Sequence, residues 1–183
     1  MSWLDTLVLI RDARPDEFDD LGHVRVAAYV ADGFLSPGSG YLPRLRSLGA
    51  DGADPVLVAV DAAGTGEVLG TVMLQRWPHG GELLRDASEA EIRALAVRPG
   101  ARGTGLGRAL LDAVIERARE EGVQHLLLLT QPEMKAAHHL YERAGFVRLP
   151  DRDRCPEPGV ALLAYGLFLD GPPLDGLPLD DRP

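Results

Sequence analysis

The stretch "RGTGLGRALLDAVIERARE", Arg102 to Glu120, restricts the fold more than any other part of the chain. An arginine and the glycines Gly103, Gly105 and Gly107 run straight into a strongly periodic segment. Leu106, Ala109, Leu110, Ala113, Val114 and Ala118 recur at spacings of three and four, with Arg108, Asp112, Glu116 and Arg119 opposite. That spacing predicts a helix with one side packed on a sheet. β-rich runs stand on either side: "EAEIRALAV", ending at Val97, and "HLLLLT", whose unbroken apolar run Leu126 to Leu129 is typical of a strand covered on both faces.

The remaining segments extend this pattern. "TLVLIRDAR" reads as a strand, and the helix after it opens at Pro15 with Asp16 and Glu17 complementing the helix dipole. Phe18, Leu21, Val24 and Ala28 share one face of that helix. Gly and Pro then punctuate a loop around a short helix at Leu42 to Leu48. "PVLVAVDAAGTGEVLGTVMLQRW" has the form of an antiparallel hairpin. After Leu129 come a helix in "EMKAAHHLYERAG" and two further strands, "FVRLP" and "GVALLAYGLFL". The order is strand, helices, three strands, helix, strand, helix, two strands, without internal repeat. One domain over residues 1–169 is expected, and the Pro/Gly/Asp-rich 170–183 reads as a disordered tail.

Bare backbone at a helix start suits an anion. The first N–H groups of a helix lack internal partners and carry partial positive charge, and glycines let a ligand approach them. Phosphate is the natural guest. A P-loop would need Lys then Ser or Thr where Arg108 and Ala109 follow Gly107, and the dinucleotide fingerprint would need a glycine at Arg108. On these residues alone, a tight strand-to-helix turn without a ligand remains an equal alternative.

The context favours the ligand. "LAVRPGARGTGLGRALL", with Arg102-x-x-Gly105-x-Gly107 after a strand, resembles the acyl-CoA-binding signature of the GNAT superfamily of N-acetyltransferases. About thirty residues later "AAHHLYERAGF" looks like that superfamily's second motif, a helix with a Tyr ending in Gly-Phe. The order of elements from Leu7 to Leu169 is similar too. The resemblance implies an α/β (α+β) domain: a mixed, mostly antiparallel sheet of six or seven strands flanked by helices, with splayed parallel central strands. It implies acetyl-CoA as co-substrate and acetyl transfer to a primary amine of a small molecule or peptide in a ternary complex. The diphosphate would lie on the amides of Arg102, Gly103, Thr104, Gly105, Leu106, Gly107 and Arg108. The pantetheine arm would pair with Leu95, Ala96 and Val97 in the cleft opened beside the strand ending at Thr130, with His138 along the cofactor path. Met134 departs from the pattern, since many relatives carry a polar pantetheine contact there.

The same resemblance supplies the chemistry. Acetyl transfer needs a neutral amine and a proton for the departing thiolate. Strand alternation puts Glu89, Glu91, Arg93, Leu95 and Val97 on one side of their strand, which brings Glu91 near the reacting centre as general base, with Glu89 in reserve. A carboxylate paired with Arg93 is the competing role. Tyr141 matches the family's proton donor to sulfur; a phenol of pKa about 10 can protonate a thiolate without ionising at rest. His138 and His139 point about 100° apart and cannot both face a cleft. Tyr29, Phe34, Tyr41 and Trp77 are candidate acceptor-site walls. A sensor that binds acyl-CoA without turnover is the alternative, disfavoured by the presence of Glu91 and Tyr141.

Composition narrows the partners. Acidic residues outnumber basic ones 28 to 19, a formal charge of −9, which disfavours nucleic acid and is compatible with a cationic substrate. The lone Cys155 excludes an internal disulfide framework, and no acidic or histidine cluster has metal-ligand spacing, so no metal is expected. The N-terminal apolar run ends at Arg11, too early for an export signal or a membrane span. A cytoplasmic protein without membrane contact is expected. A homodimer remains open.

Overall fold

The computed structural model describes residues 8–63, 65–79 and 83–169, so the expected tail at 170–183 lies outside the described residues. Its strands are β1 (Val8–Asp12), β2 (Val56–Asp61), β3 (Val68–Arg76), β4 (Glu89–Val97), β5 (His125–Thr130), β6 (Val147–Arg148), β7 (Arg154–Glu157) and β8 (Val160–Phe168). The helices longer than one turn are α1 (Phe18–Ala31), α2 (Leu42–Ser47), α3 (Leu106–Glu120) and α4 (Lys135–Arg143). The sheet runs β1-β2-β3-β4-β5-β8-β6, with β7 paired to β8. All pairings are antiparallel except β4 with β5. Eight strands stand where six or seven are expected: the "RCPE" segment, which has no alternating apolar pattern, is extended because β8 offers it a neighbour.

α3 and α4 cover one face of the sheet, and α1 covers the other. The face under α3 buries Leu106, Leu110, Leu111, Val114, Ile115 and Ala118 against Val72, Leu74, Ile92, Leu126 and Leu128. Ala109, assigned to the apolar stripe by spacing, is exposed, and Leu111 and Ile115 take its share of the packing. On the opposite face Leu21, Val24 and Ala28 of α1 pack on Val58, Val60, Val68, Met73 and Ala96, as their spacing predicts, and Phe18 joins them. Gly22 permits close approach of α2: a Cβ there would stand 2.8 Å from the Arg46 carbonyl oxygen. Arg25, fully buried on α1, donates to the Leu48 carbonyl just beyond α2 at 2.7 Å.

One irregularity shapes the centre. Thr71 pairs with Ala96 and Met73 with Arg93, so Val72 of β3 opposes both Ala94 and Leu95 of β4. This β-bulge places Ala94 at φ 50°, in the left-handed region that a side chain disfavours by about 1–2 kcal/mol. It also exchanges the faces of β4. Ala90 and Ile92 belong to the α3 core and Arg93 to the other side, yet beyond the bulge Leu95 and Val97 pack toward α3 while Ala94 and Ala96 pack toward α1. The single face expected for Glu89 through Val97 therefore ends at Arg93, because an inserted residue resets a period of two.

The parallel pair is short. Glu89 to Ile92 face His125 to Leu128; from Arg93 onward β4 keeps only β3, and Leu129 and Thr130 of β5 keep only β8.

Below the split, Glu89 is clamped. Arg152 donates to both of its carboxylate oxygens at 3.0 and 2.9 Å and to the Leu83 carbonyl, and the Arg85 amide donates to it at 2.8 Å. Both side chains are less than one-tenth exposed. Removing one partner would strand a buried charge. Arg152→Ala is expected to lower unfolding free energy by about 3–5 kcal/mol in urea titrations, and replacing both partners by apolar residues should recover much of that loss.

Candidate functional site

Where β4 and β5 part, a cavity of about 930 Å³ opens between the strands, α1, α2 and α4. Ile92 to Val97 line one side, Leu129 and Thr130 the other, and Arg102 and Gly107 one end. Arg93 to Val97 thus present a strand edge without a β5 neighbour. The Thr130 hydroxyl is buried without a hydrogen-bond partner.

The glycine turn has the conformation its composition anticipates. Gly103 and Gly105 adopt φ of 75° and 86°, and a Cβ on either would meet nothing within 4 Å, so the approach to this helix start is open. The helical i→i−4 ladder begins with the Ala109 amide donating to the Gly105 carbonyl at 3.0 Å, leaving the amides of Leu106, Gly107 and Arg108 ahead of it. No side chain caps this end. The Thr104 hydroxyl donates to the Ala101 carbonyl at 2.8 Å. The Leu106 side chain is in the core.

The two arginines of the turn differ. Arg102 lines the cavity and is held by Asp32, just beyond α1, at 2.6 Å and by the Ala28 carbonyl of α1 at 3.1 Å. Arg108 is outside that lining and pairs with Asp112 at 2.8 and 2.9 Å along its own helix. His138 is also outside it: buried, with Nε2 3.0 Å from the Gln131 carbonyl oxygen, it ties the start of α4 to the end of β5.

Glu91 and Tyr141 both line the cavity. Glu91 is 5% exposed, and burial pushes its carboxyl up to about 7 against the opposing pull of the Arg93 and Arg44 guanidiniums. Arg93 stands 3.8 Å from it, with its own Nη atoms donating to Gln75 Oε1 at 2.9 Å and to the Tyr41 hydroxyl at 3.0 Å. Tyr141 is 8% exposed; burial, with Tyr29 nearby, holds its phenol well above the ordinary value, so it stays protonated. Burial likewise pushes Tyr29 up to about 12. Glu89 lies outside the lining; burial alone would raise it, but Arg152 and the Arg85 amide hold it below the usual carboxylate value. It is therefore poorly suited to the reserve role.

Tyr29, Phe34 and Tyr41 line the cavity, while Trp77 is exposed outside it. Sequence reasoning missed Arg44, which α2 delivers to the cavity, and the hairpin residues Pro156, Glu157, Val160 and Leu162. Arg93 carried a signal, two residues after Glu91 on one face; Arg44 carried none. Among the described residues no cluster of three or more His, Cys, Asp or Glu could hold a metal, and no helix is long and apolar enough to cross a membrane.

Comparison with known proteins places this geometry. The mycothiol acetyltransferase of Propionibacterium freudenreichii subsp. shermanii is 36% identical over 135 residues, 73% of this chain and 41% of that protein. The L-methionine sulfoximine/L-methionine sulfone acetyltransferase of Pseudomonas aeruginosa is 41% identical over 93 residues, 50% of each chain. The matches span well under two thirds of either relative's length. In fold, a GNAT-family acetyltransferase from Staphylococcus aureus superposes with a TM-score of 0.69 at 17% identity, covering 90% of this chain and 100% of that one. A Salmonella typhimurium protein solved with its cofactor acetyl-CoA gives 0.65 at 22% identity, covering 90% and 95%. The model of the acetyltransferase (GNAT) family matches residues 27–146, and the chain belongs to that family.

Proposed function

We propose that this protein acetylates a primary amine of a small molecule, using acetyl-CoA in a ternary complex with Glu91 as general base and Tyr141 as proton donor. The observation that carries the reading is that the buried Glu91 carboxyl, pushed up to about 7 by that burial, and the buried Tyr141 phenol line one cavity with the unpaired edge of β4. Relatives named for mycothiol and for L-methionine sulfoximine support a small-molecule acceptor.

The residues fit the cofactor. Amides ahead of the helical ladder at Ala109, a turn open above Gly103 and Gly105, and Arg102 beside them suit a diphosphate. The unpaired edge of β4 and the Thr130 hydroxyl suit an amide-bearing arm. Leu95, Ala96, Val97, Arg102 to Gly107, the Arg108 amide and Thr130 would hold it; the Arg108 side chain and His138 would act through neighbouring structure. Acetyl-CoA, when bound, supplies an acetyl group activated as a thioester.

Glu91 takes the ammonium proton directly or through water. With a pKa near 7 it is ionised often enough at neutral pH to accept a proton, yet basic enough to draw it from an amine. Tyr141 is protonated at rest and would pass its proton to the CoA sulfur as the C–S bond breaks, a transfer that burial of the phenol makes less favourable than for a free tyrosine. Arg93, tethered by Gln75 and Tyr41, keeps Glu91 from rising further.

Thiol release from acetyl-CoA across a panel of amines tests the reading, and no release with any amine, together with no thermal shift on adding CoA, overturns it. CoA binding without turnover, unaffected by Glu91→Gln or Tyr141→Phe, would instead favour the sensor. In the wild type, kcat/KM should rise with pH up to about 7 and then level, and Glu91→Gln should lose that limb with about 10²-fold or more of the rate. The same residue sets a stability signature. Its folded pKa is raised from 4.5 to about 7, so its contribution is fully present below 4.5 and lost as pH rises through 7. Glu91→Gln should therefore be more stable than wild type at pH 8–9, by at most about 3 kcal/mol, with the gain vanishing near pH 4.5 in thermal or urea unfolding. Arg102→Ala should raise the KM for acetyl-CoA about tenfold, more steeply at low ionic strength.

A further inference from the structure

The charges around Glu91 have the opposite sign to the chain as a whole. The chain carries −9, but the groups whose charge acts on Glu91 are the guanidiniums of Arg93 and Arg44. Arg93 spends its hydrogen bonds on two neutral partners, Gln75 and Tyr41. Its only carboxylate neighbour within 4 Å among the described residues is Glu91 itself, at 3.8 Å. Arg44 lines the same cavity, is exposed, and forms no ion pair among the described residues. The position of its helix is fixed by the Arg25 bond to the Leu48 carbonyl and the close contact at Gly22, so the guanidinium is carried on a packed element.

A bare ammonium brought to Glu91 would meet two guanidiniums against one carboxyl, because the other carboxylates of the lining, Asp32, Glu133 and Glu157, are not among the groups whose charge acts on Glu91. At close range in a partly dry cavity that is a repulsive balance, and a polyamine would feel it most. An amine that brings its own anion would not. The walls include Tyr29, Phe34, Leu35, Val160 and Leu162, available to an uncharged side chain, alongside the polar Ser39 and the carboxylate of Glu157. We infer that the acceptor is a zwitterionic amino acid with an uncharged side chain: Glu91 addresses its amine, and Arg44 holds its carboxylate in the cavity beside Arg93. Arg44 is then a specificity-determining residue that no motif announces. The inference rests on the acetyltransferase reading and narrows it.

The test compares L-leucine, L-methionine and L-methionine sulfone with their α-carboxamides and with spermidine, reading thiol release from acetyl-CoA. The free acids should be preferred over their carboxamides at least tenfold in kcat/KM. Intrinsic reactivity runs the other way, because a carboxamide's ammonium gives up its proton more readily. In Arg44→Ala that preference should fall tenfold or more through KM, and Arg44→Lys should restore part of it. Carboxamides or spermidine used as well as the acids, or a preference that survives Arg44→Ala, would overturn this inference and leave acetyl transfer standing. Absence of thiol release with every amine would remove both.

Discussion

The parting of β4 from β5 is the constraint on which the site depends. Parallel strands normally stay paired along their shared length, because an unmatched row of buried N–H and C=O groups is costly. Here pairing stops after Ile92 and Leu128, although β4 continues to Val97 and β5 to Thr130. The bulge at Ala94 turns the β4 backbone at this point, and β8 takes the pairing of β5 onward. The cavity, the unclaimed strand edge and the approach to the start of α3 all follow from that divergence. A helix crossover is what makes β4 and β5 parallel neighbours, so the segment that carries the glycine turn also creates the cleft beside it.

Two glutamates on that strand show how environment assigns roles. Glu89 and Glu91 lie two residues apart with nearly equal exposure, 8% and 5%. Burial pushes both carboxyls up. Glu89 then receives two charge-assisted bonds from Arg152 and one from a backbone amide, which outweigh the burial. Glu91 has a guanidinium at 3.8 Å, too far for a hydrogen bond, and the burial wins. One carboxylate is fixed as an anion that ties Arg152 to the sheet, and the other is left inside the cavity with its carboxyl pushed up to about 7. Hydrogen bonding, more than depth, separates them.

Much of this architecture is legible in the sequence. The spacing of Leu106, Leu110, Val114 and Ala118, the apolar run Leu126 to Leu129 and the glycine turn give the central β-α-β unit, since each follows from local periodicity. Three things are not legible. The bulge at Ala94 depends on how β3 and β4 register, and alanine carries no mark of it. The clamp on Glu89 comes from Arg152, sixty-three positions away, so sequence spacing could not separate the two glutamates. β7 lacks the composition of a strand and becomes one through its partner.

Net charge is the remaining case in which a whole-chain quantity points away from the local one. An excess of nine negative charges is compatible with a cationic ligand at long range, where fields from the entire surface add. Within the cavity the nearest groups dominate, because interactions between exposed charges are screened beyond roughly 8–10 Å at physiological ionic strength. Under the proposed function, Glu91, Arg93 and Arg44 would therefore set the sign felt by an amine brought to Glu91, whatever the distant surface carries. At the other end Arg102 is neutralised by Asp32, and an arriving diphosphate would compete with that carboxylate for one guanidinium. Under the proposed function, cofactor binding would exchange partners at Arg102, whereas the amides of Leu106, Gly107 and Arg108, which lie ahead of the helical ladder, have no such competitor.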